Sequence, residues 1–209
     1  MPFNIAIIDY EMGNLKSIYK LLRHLNIDST ITSDHNTIRN ADGVILPGVG
    51  AFGDAMKQLR EKNLFTLIKD LTSEGKPLFG ICLGHHMLFS QSVEMGNHEG
   101  LDIIQGNVIS FDKNLVGKIP QIGWNNVFFL KEDHFIVQGI PNNSYYYFVH
   151  SFYALPTVSS TILGTTKYGE TDFCSMVSKD NIITTQFHPE KSGKNGIKMY
   201  QNFVHYCRK

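Results

Sequence analysis

Apolar residues in the first half of the chain follow two alternating rhythms. Short continuous runs, at 3–8 and 43–47, read as strands buried on both faces. Elsewhere apolar residues recur at intervals of three and four: Leu15, Ile18, Tyr19, Leu22 and Leu25, then Met56, Leu59, Leu64, Leu67, Ile68 and Leu71. That spacing lines one face of a helix. The pattern predicts helices over 15–25 and 52–71, the second stopped at Glu74-Gly75. A further strand is predicted from Lys76-Pro77 to Cys82. Alternation of strand and helix predicts a mostly parallel sheet with right-handed crossovers.

From about Leu101 the rhythm changes to strand and turn. Strands are predicted at 103–111, 126–131, 144–153, 161–167, 173–177 and 181–186, with turns at 139–143 and 179–181. A closing helix over 193–206 carries Ile197, Tyr200 and Phe203 on one face. No repeat, low-complexity tract or linker interrupts the chain. The expectation is one α/β domain over 1–209. Its architecture would be a three-layer sandwich around a central mixed, mostly parallel sheet, with a flavodoxin-like core.

The third predicted strand ends in Gly80-Ile81-Cys82-Leu83-Gly84. This is the glycine-flanked nucleophile of a sharp strand-to-helix elbow, with sulfur in place of the usual serine oxygen. The cramped turn leaves no room for side chains two residues to either side. A helix starting there aims free N–H groups at the sulfur, favouring thiolate and an oxyanion. The competing reading is a buried structural cysteine. Far downstream, Gln186-Phe187-His188-Pro189-Glu190 follows an apolar strand. In extended backbone His188 and Glu190 project to one side. A thiol needs a base, and the base needs a group to hold its tautomer. The competing reading is a His-Pro-Glu turn that caps the next helix. Cys82, His188 and Glu190 together favour catalysis. A metal site built on Cys82 and His86 lacks further ligands.

These two motifs resemble those of the class I, triad-type glutamine amidotransferases. The closer resemblance is to the glutaminase subunits of imidazole glycerol phosphate synthase. It is carried by Asp9–Asn14, Leu46–Met56, Ile119–Asn125 and Tyr147–Tyr153, and so spans nearly the whole chain. The resemblance implies hydrolysis of glutamine to glutamate, with ammonia passed to a (β/α)₈-barrel cyclase partner in a heterodimer. It implies oxyanion donors at Leu83 and at Val49, whose N–H must turn inward within the Gly48–Gly50 loop. It places substrate contacts at Gly48, Gly50, His86, His150, Ser151 and Phe152. Asn14, Trp124, Asn125 and Lys191 match the partner interface. No cofactor or metal is expected. Related glutaminases feed other synthases, and a poorly catalytic regulatory subunit or a stand-alone cysteine hydrolase are the rival readings.

Two positions depart from that family pattern. His86 stands where glutamine is usual, and its ring has shorter reach than a carboxamide. Glu11 stands where glycine is usual, which strains the backbone if φ is positive there.

Bulk properties narrow the picture further. The chain has 19 Lys plus Arg against 19 Asp plus Glu, so no net field recruits nucleic acid or an anionic membrane. Cysteines at 82, 174 and 207 form no Cys-x-x-Cys pair. With no leader-like segment at the N-terminus, reduced thiols in the cytoplasm are expected.

Overall fold

In the computed structural model, which describes residues 3–209, the first half alternates as its apolar rhythm dictates. The strands are β1 (Ile5–Ile8), β2 (Ser29–Thr32), β3 (Gly43–Leu46) and β4 (Leu78–Ile81). The helices are α1 (Leu15–His24), α2 (His35–Asn40), α3 (Phe52–Glu61), α4 (Leu64–Ser73) and α5 (Leu83–Met87). The single helix expected over 52–71 is two, because Asn63 takes a left-handed φ of 57°. Asn tolerates that conformation and breaks the hydrogen-bond ladder. β2 and α2 went unpredicted: β2 is an edge strand with no fully buried residue, so it lacks an apolar run. Met1 and Pro2, part of the stretch expected to carry no leader, lie outside the described residues.

The second half supplies β5 (Phe89–Ser92), β6 (His98–Glu99), β7 (Ile104–Ser110), α6 (Lys113–Val116), β8 (Gln121–Phe129) and β9 (Ser144–His150). It continues with β10 (Phe152–Pro156), β11 (Ile162–Tyr168), β12 (Thr171–Lys179), β13 (Ile182–Thr185) and α7 (Gly193–Cys207). Two expectations are corrected here. The strand expected from 126 begins at Gln121. The one expected over 144–153 breaks at Ser151: β9 pairs with β8, while β10 pairs with β7 and β12.

The main sheet runs β2-β1-β3-β4-β13-β12-β10-β7-β5-β6, with β11, β8 and β9 branching from β12. Its first five strands are parallel. Period-two burial sends alternate residues of each strand to opposite layers. Ile5, Ile7, Ile45 and Phe79 pack with Leu22, Tyr200 and Phe203 of α1 and α7. Ala6, Ile8, Val44 and Leu78 pack with Leu59, Leu64 and Ile68 of α3 and α4. These are the three layers the pattern predicts. Parallel register pairs Ile81 with Thr185, so the loops after β4 and β13 emerge side by side at the carboxyl rim, where open α/β sheets build their sites.

Candidate active site

Cys82 sits at the tip of the elbow with φ 54° and ψ −108°. Such a non-glycine conformation costs on the order of 1–3 kcal/mol and persists only where its surroundings enforce it. Here they do. The Cys82 N–H donates to the Thr185 carbonyl at 2.8 Å. A Cβ on Gly84 would collide with the Leu46 carbonyl, and one on Gly80 would lie 2.9 Å from Leu88 Cδ1. The flanking glycines are therefore required by close approach on both sides. The helix behind the sulfur corrects one expectation. α5 has five residues, too few for a substantial dipole, and its leading N–H groups are not all free.

His188 lies three residues past the end of β13 in a frame of hydrogen bonds. Its N–H donates to the Tyr147 carbonyl at 2.9 Å, and its carbonyl accepts the Ser192 hydroxyl at 2.6 Å. Pro189–Lys191 forms a 3-10 turn, so Glu190 reaches the imidazole from a turn and not from extended backbone as expected. Nδ1–H donates to Glu190 Oε1 at 2.7 Å, with both side chains almost wholly buried. The other ring nitrogen, Nε2, is buried with no formed hydrogen bond, and the Cys82 sulfur is the neighbour that acts on the ring from the side away from Glu190. Burial works to lower the His188 pKa. The Cys82 sulfur and the Glu190 carboxylate outweigh burial and push it up to about 10. An imidazolium held between a carboxylate and a thiol is the electrostatic setting of a thiolate–imidazolium pair.

Cys82 and His188 open into one cavity of about 390 Å³, lined also by Val49, Gly50, Leu83, His86, Glu94, Pro120, Val149, His150, Ser151 and Phe152. Every expected substrate residue except Gly48 is on that wall. Gly48 instead turns its carbonyl to the Leu83 N–H at 3.4 Å. In a trans peptide C=O and N–H point oppositely, so the Val49 N–H faces away from that spot. The expected oxyanion hole is thus filled by a carbonyl, and the loop must turn over to present both donors.

The other two histidines of the wall, His86 and His150, are neutral. Burial lowers His86 to about 4 against a hydrogen bond to Gln186, and lowers His150 to about 3. His150 is held within the fold, with Nδ1–H donating to the Phe152 carbonyl at 2.8 Å and Nε2 2.9 Å from the Gln121 carboxamide. Glu94 escaped the sequence reading. Its carboxylate accepts the Phe52 N–H at 2.9 Å and lines the cavity. Only an acid shortly after the elbow helix hinted at it, with no periodicity or motif.

Of the expected interface residues, Trp124 is 57% exposed, which sets aside core packing. Its ring meets Tyr147 edge-on at 6.3 Å. The Lys191 ammonium lies 5.6 Å from the centre of the same Tyr147 ring. Asn125 donates to the Lys167 carbonyl at 2.8 Å, and Asn14 Oδ1 accepts from the Ser17 hydroxyl at 2.9 Å. At the second departure, Glu11 does have a positive φ, 70°.

This fold and site define a class of protein, and the comparisons agree. Residues 6–207 match the family model "Glutamine amidotransferase class-I". The chain is 48% identical to "Imidazole glycerol phosphate synthase subunit HisH" of Methanosarcina barkeri over 97% of this chain and 98% of that one. It is 45% identical to the protein of the same name from Aquifex aeolicus, over 98% and 97% of the two chains. The solved "Structure of PurLQS from Thermotoga maritima" shares the fold, with a TM-score of 0.78 at 17% identity over 99% of both chains. The chain belongs to the class-I glutamine amidotransferases and, within them, to the HisH family.

Proposed function

We propose that this chain is the glutaminase subunit of an imidazole glycerol phosphate synthase, serving histidine biosynthesis. The observation that carries the reading is His188 set between the Glu190 carboxylate and Cys82 on the wall of one cavity. In this reading the Cys82 sulfur attacks the glutamine side-chain carbonyl and forms a C–S bond. His188 donates its proton to the amide nitrogen, the C–N bond breaks, and ammonia leaves. Water, giving a proton to His188, then cleaves the glutamyl thioester. Glutamate departs and the thiol is restored. Glu190 holds the ring tautomer throughout. Glu94, the carboxylate on the wall, complements the α-ammonium group of the substrate.

The Leu83 and Val49 N–H groups are the oxyanion donors, and both become available only after the Gly48–Val49 peptide turns over, since the Gly48 carbonyl now takes the Leu83 N–H. In the resting state described above the subunit is therefore slow. That restraint suits an enzyme whose free ammonia would be protonated and lost. The partner is a (β/α)₈-barrel cyclase that receives the ammonia. Its docking face is the outer side of β8 and β9. There Ile122 and Trp124, 59% and 57% exposed, run up to Val149 at the cavity mouth. A continuous exposed apolar strip of this kind marks an interface.

The test is glutamate release from glutamine by the chain with and without its synthase subunit, alongside synthesis from added ammonia. Release with the partner, abolished by Cys82→Ala while ammonia-dependent synthesis continues, supports the reading. Retained release in Cys82→Ala would remove the nucleophile.

A further inference from the structure

Tyr10 follows β1 and is fully buried, yet no step above uses it. Its hydroxyl donates to the Pro47 carbonyl at 2.7 Å. A Cβ added to Gly48 would collide with that hydroxyl and would lie 2.8 Å from Leu83 Cβ. The oxygen therefore rests against Gly48, the residue on which the oxyanion loop must pivot. Burial, and then the charge of Cys82, raise the Tyr10 pKa, so the hydroxyl stays protonated and remains a donor.

Turning over the Gly48–Val49 peptide rotates ψ of Gly48 and φ of Val49. The peptide before it, which carries the Pro47 carbonyl, stays in place. The Tyr10 bond thus fixes the upstream end of the crankshaft without opposing its rotation. Without that bond the Pro47 carbonyl has no Tyr10 partner and the pivot is free to drift. Oxyanion donors act only within a few tenths of an ångström of their target. We propose that Tyr10 is a positioning residue: its hydroxyl pins Pro47 so that the Gly48–Val49 peptide turns in place and delivers the Val49 N–H to the oxyanion. The inference rests on the glutaminase reading above.

Tyr10→Phe keeps the ring and removes the oxygen. The variant is compared with wild type, each bound to the synthase subunit. The readouts are steady-state glutamate release, alkylation of Cys82 by iodoacetamide, and synthesis from added ammonia. The expected result is a kcat lower by about tenfold or more, with KM and alkylation rate within about twofold of wild type. Ammonia-dependent synthesis stays unchanged, which shows that the synthase subunit is active, and co-elution of the two subunits shows that the complex is intact. A kcat within about twofold of wild type overturns the proposal. So does a kcat loss accompanied by raised KM or slowed alkylation, which would mean that the whole cavity had slumped. If wild type itself releases no glutamate in the complex, the glutaminase reading fails first and takes this inference with it.

Discussion

His86 Nε2–H donates to Gln186 Oε1 across 2.6 Å, linking the first turn behind the nucleophile to the strand end that carries the base. The neutral ring has one N–H, and this bond uses it. A carboxamide at position 86 would reach further into the cavity and keep donors in reserve. His86→Gln is therefore expected to lower the glutamine KM severalfold with kcat within about twofold, as read from steady-state glutamate release. An unchanged or raised KM would show that His86 does not limit substrate binding.

The same histidine tests the electrostatics of the core. Burial lowers the pKa of His85, His86 and His150, with His86 near 4 and His150 near 3. In the unfolded chain each titrates near about 6.5. Below that pH the unfolded chain takes up protons that the folded one refuses, so stability falls as pH drops toward the folded values. Each such group contributes a slope of about 1.4 kcal/mol per pH unit. His188 has the opposite sign. With its pKa pushed up to about 10, its contribution is full below about 6.5 and is lost as pH rises through its folded value. Urea unfolding between neutral and mildly acid pH should show the acid loss. His86→Gln should flatten its slope by about 1.4 kcal/mol per pH unit. A slope equal to wild type would mean that His86 is not held neutral in the fold.

Glu190 both orients His188 and raises its pKa. His188→Asn removes the proton carrier, and kcat should fall by about a thousandfold or more. Glu190→Gln keeps the ring and its place, so its loss should be smaller. The imidazolium then loses a neighbouring anion, and the limb of the pH–rate profile that reports its deprotonation should move to lower pH. A profile that stays put while kcat falls would make Glu190 a purely steric support.

The sequence exposed those features that follow from local rules. Apolar period marked the central strands and both outer layers. The elbow was legible because two glycines bracket Cys82, and Gly84 proves to have the Leu46 carbonyl where a side chain would go. What stayed hidden depends on neighbours distant in the chain. β2 carries no buried run. The break at Asn63 rests on one residue's tolerance for left-handed backbone. The turn that splits β9 from β10 sends two halves of one apolar stretch to different partners. Glu94 joins the cavity only because α3 begins beside it. The carbonyl in the oxyanion position is a matter of peptide orientation, which residue identity does not encode.

Close approach at the elbow makes a sharp contrast between two glycines. Gly84 has no positive φ, and the Leu46 carbonyl fills the space a Cβ needs. Gly75 has φ +83° and nothing within 4 Å. Gly84→Ala must push backbone against backbone and should cost more than about 4 kcal/mol, seen as failure to fold or a collapsed melting temperature. Gly75→Ala carries only conformational strain of about 1 kcal/mol. Comparable melting temperatures for the two variants would mean that the elbow relaxes around an added methyl group.

Ile122 and Trp124 stand on the outer face of β8, opposite Val149 and Tyr147 of β9. Their exposure costs the isolated subunit apolar contact with water, and covering a Trp and an Ile is worth on the order of 2–4 kcal/mol at an interface centre. Trp124→Ala should therefore weaken the complex with the synthase subunit by about tenfold or more, measured by calorimetric titration. Ile122→Glu places a charge on the same strip and should do at least as much. Both side chains are exposed on the free subunit, so its folding and its slow partner-free glutamate release should stay near wild type. Those two controls separate docking from damage. Unweakened binding in both variants would move the partner to another face of the molecule.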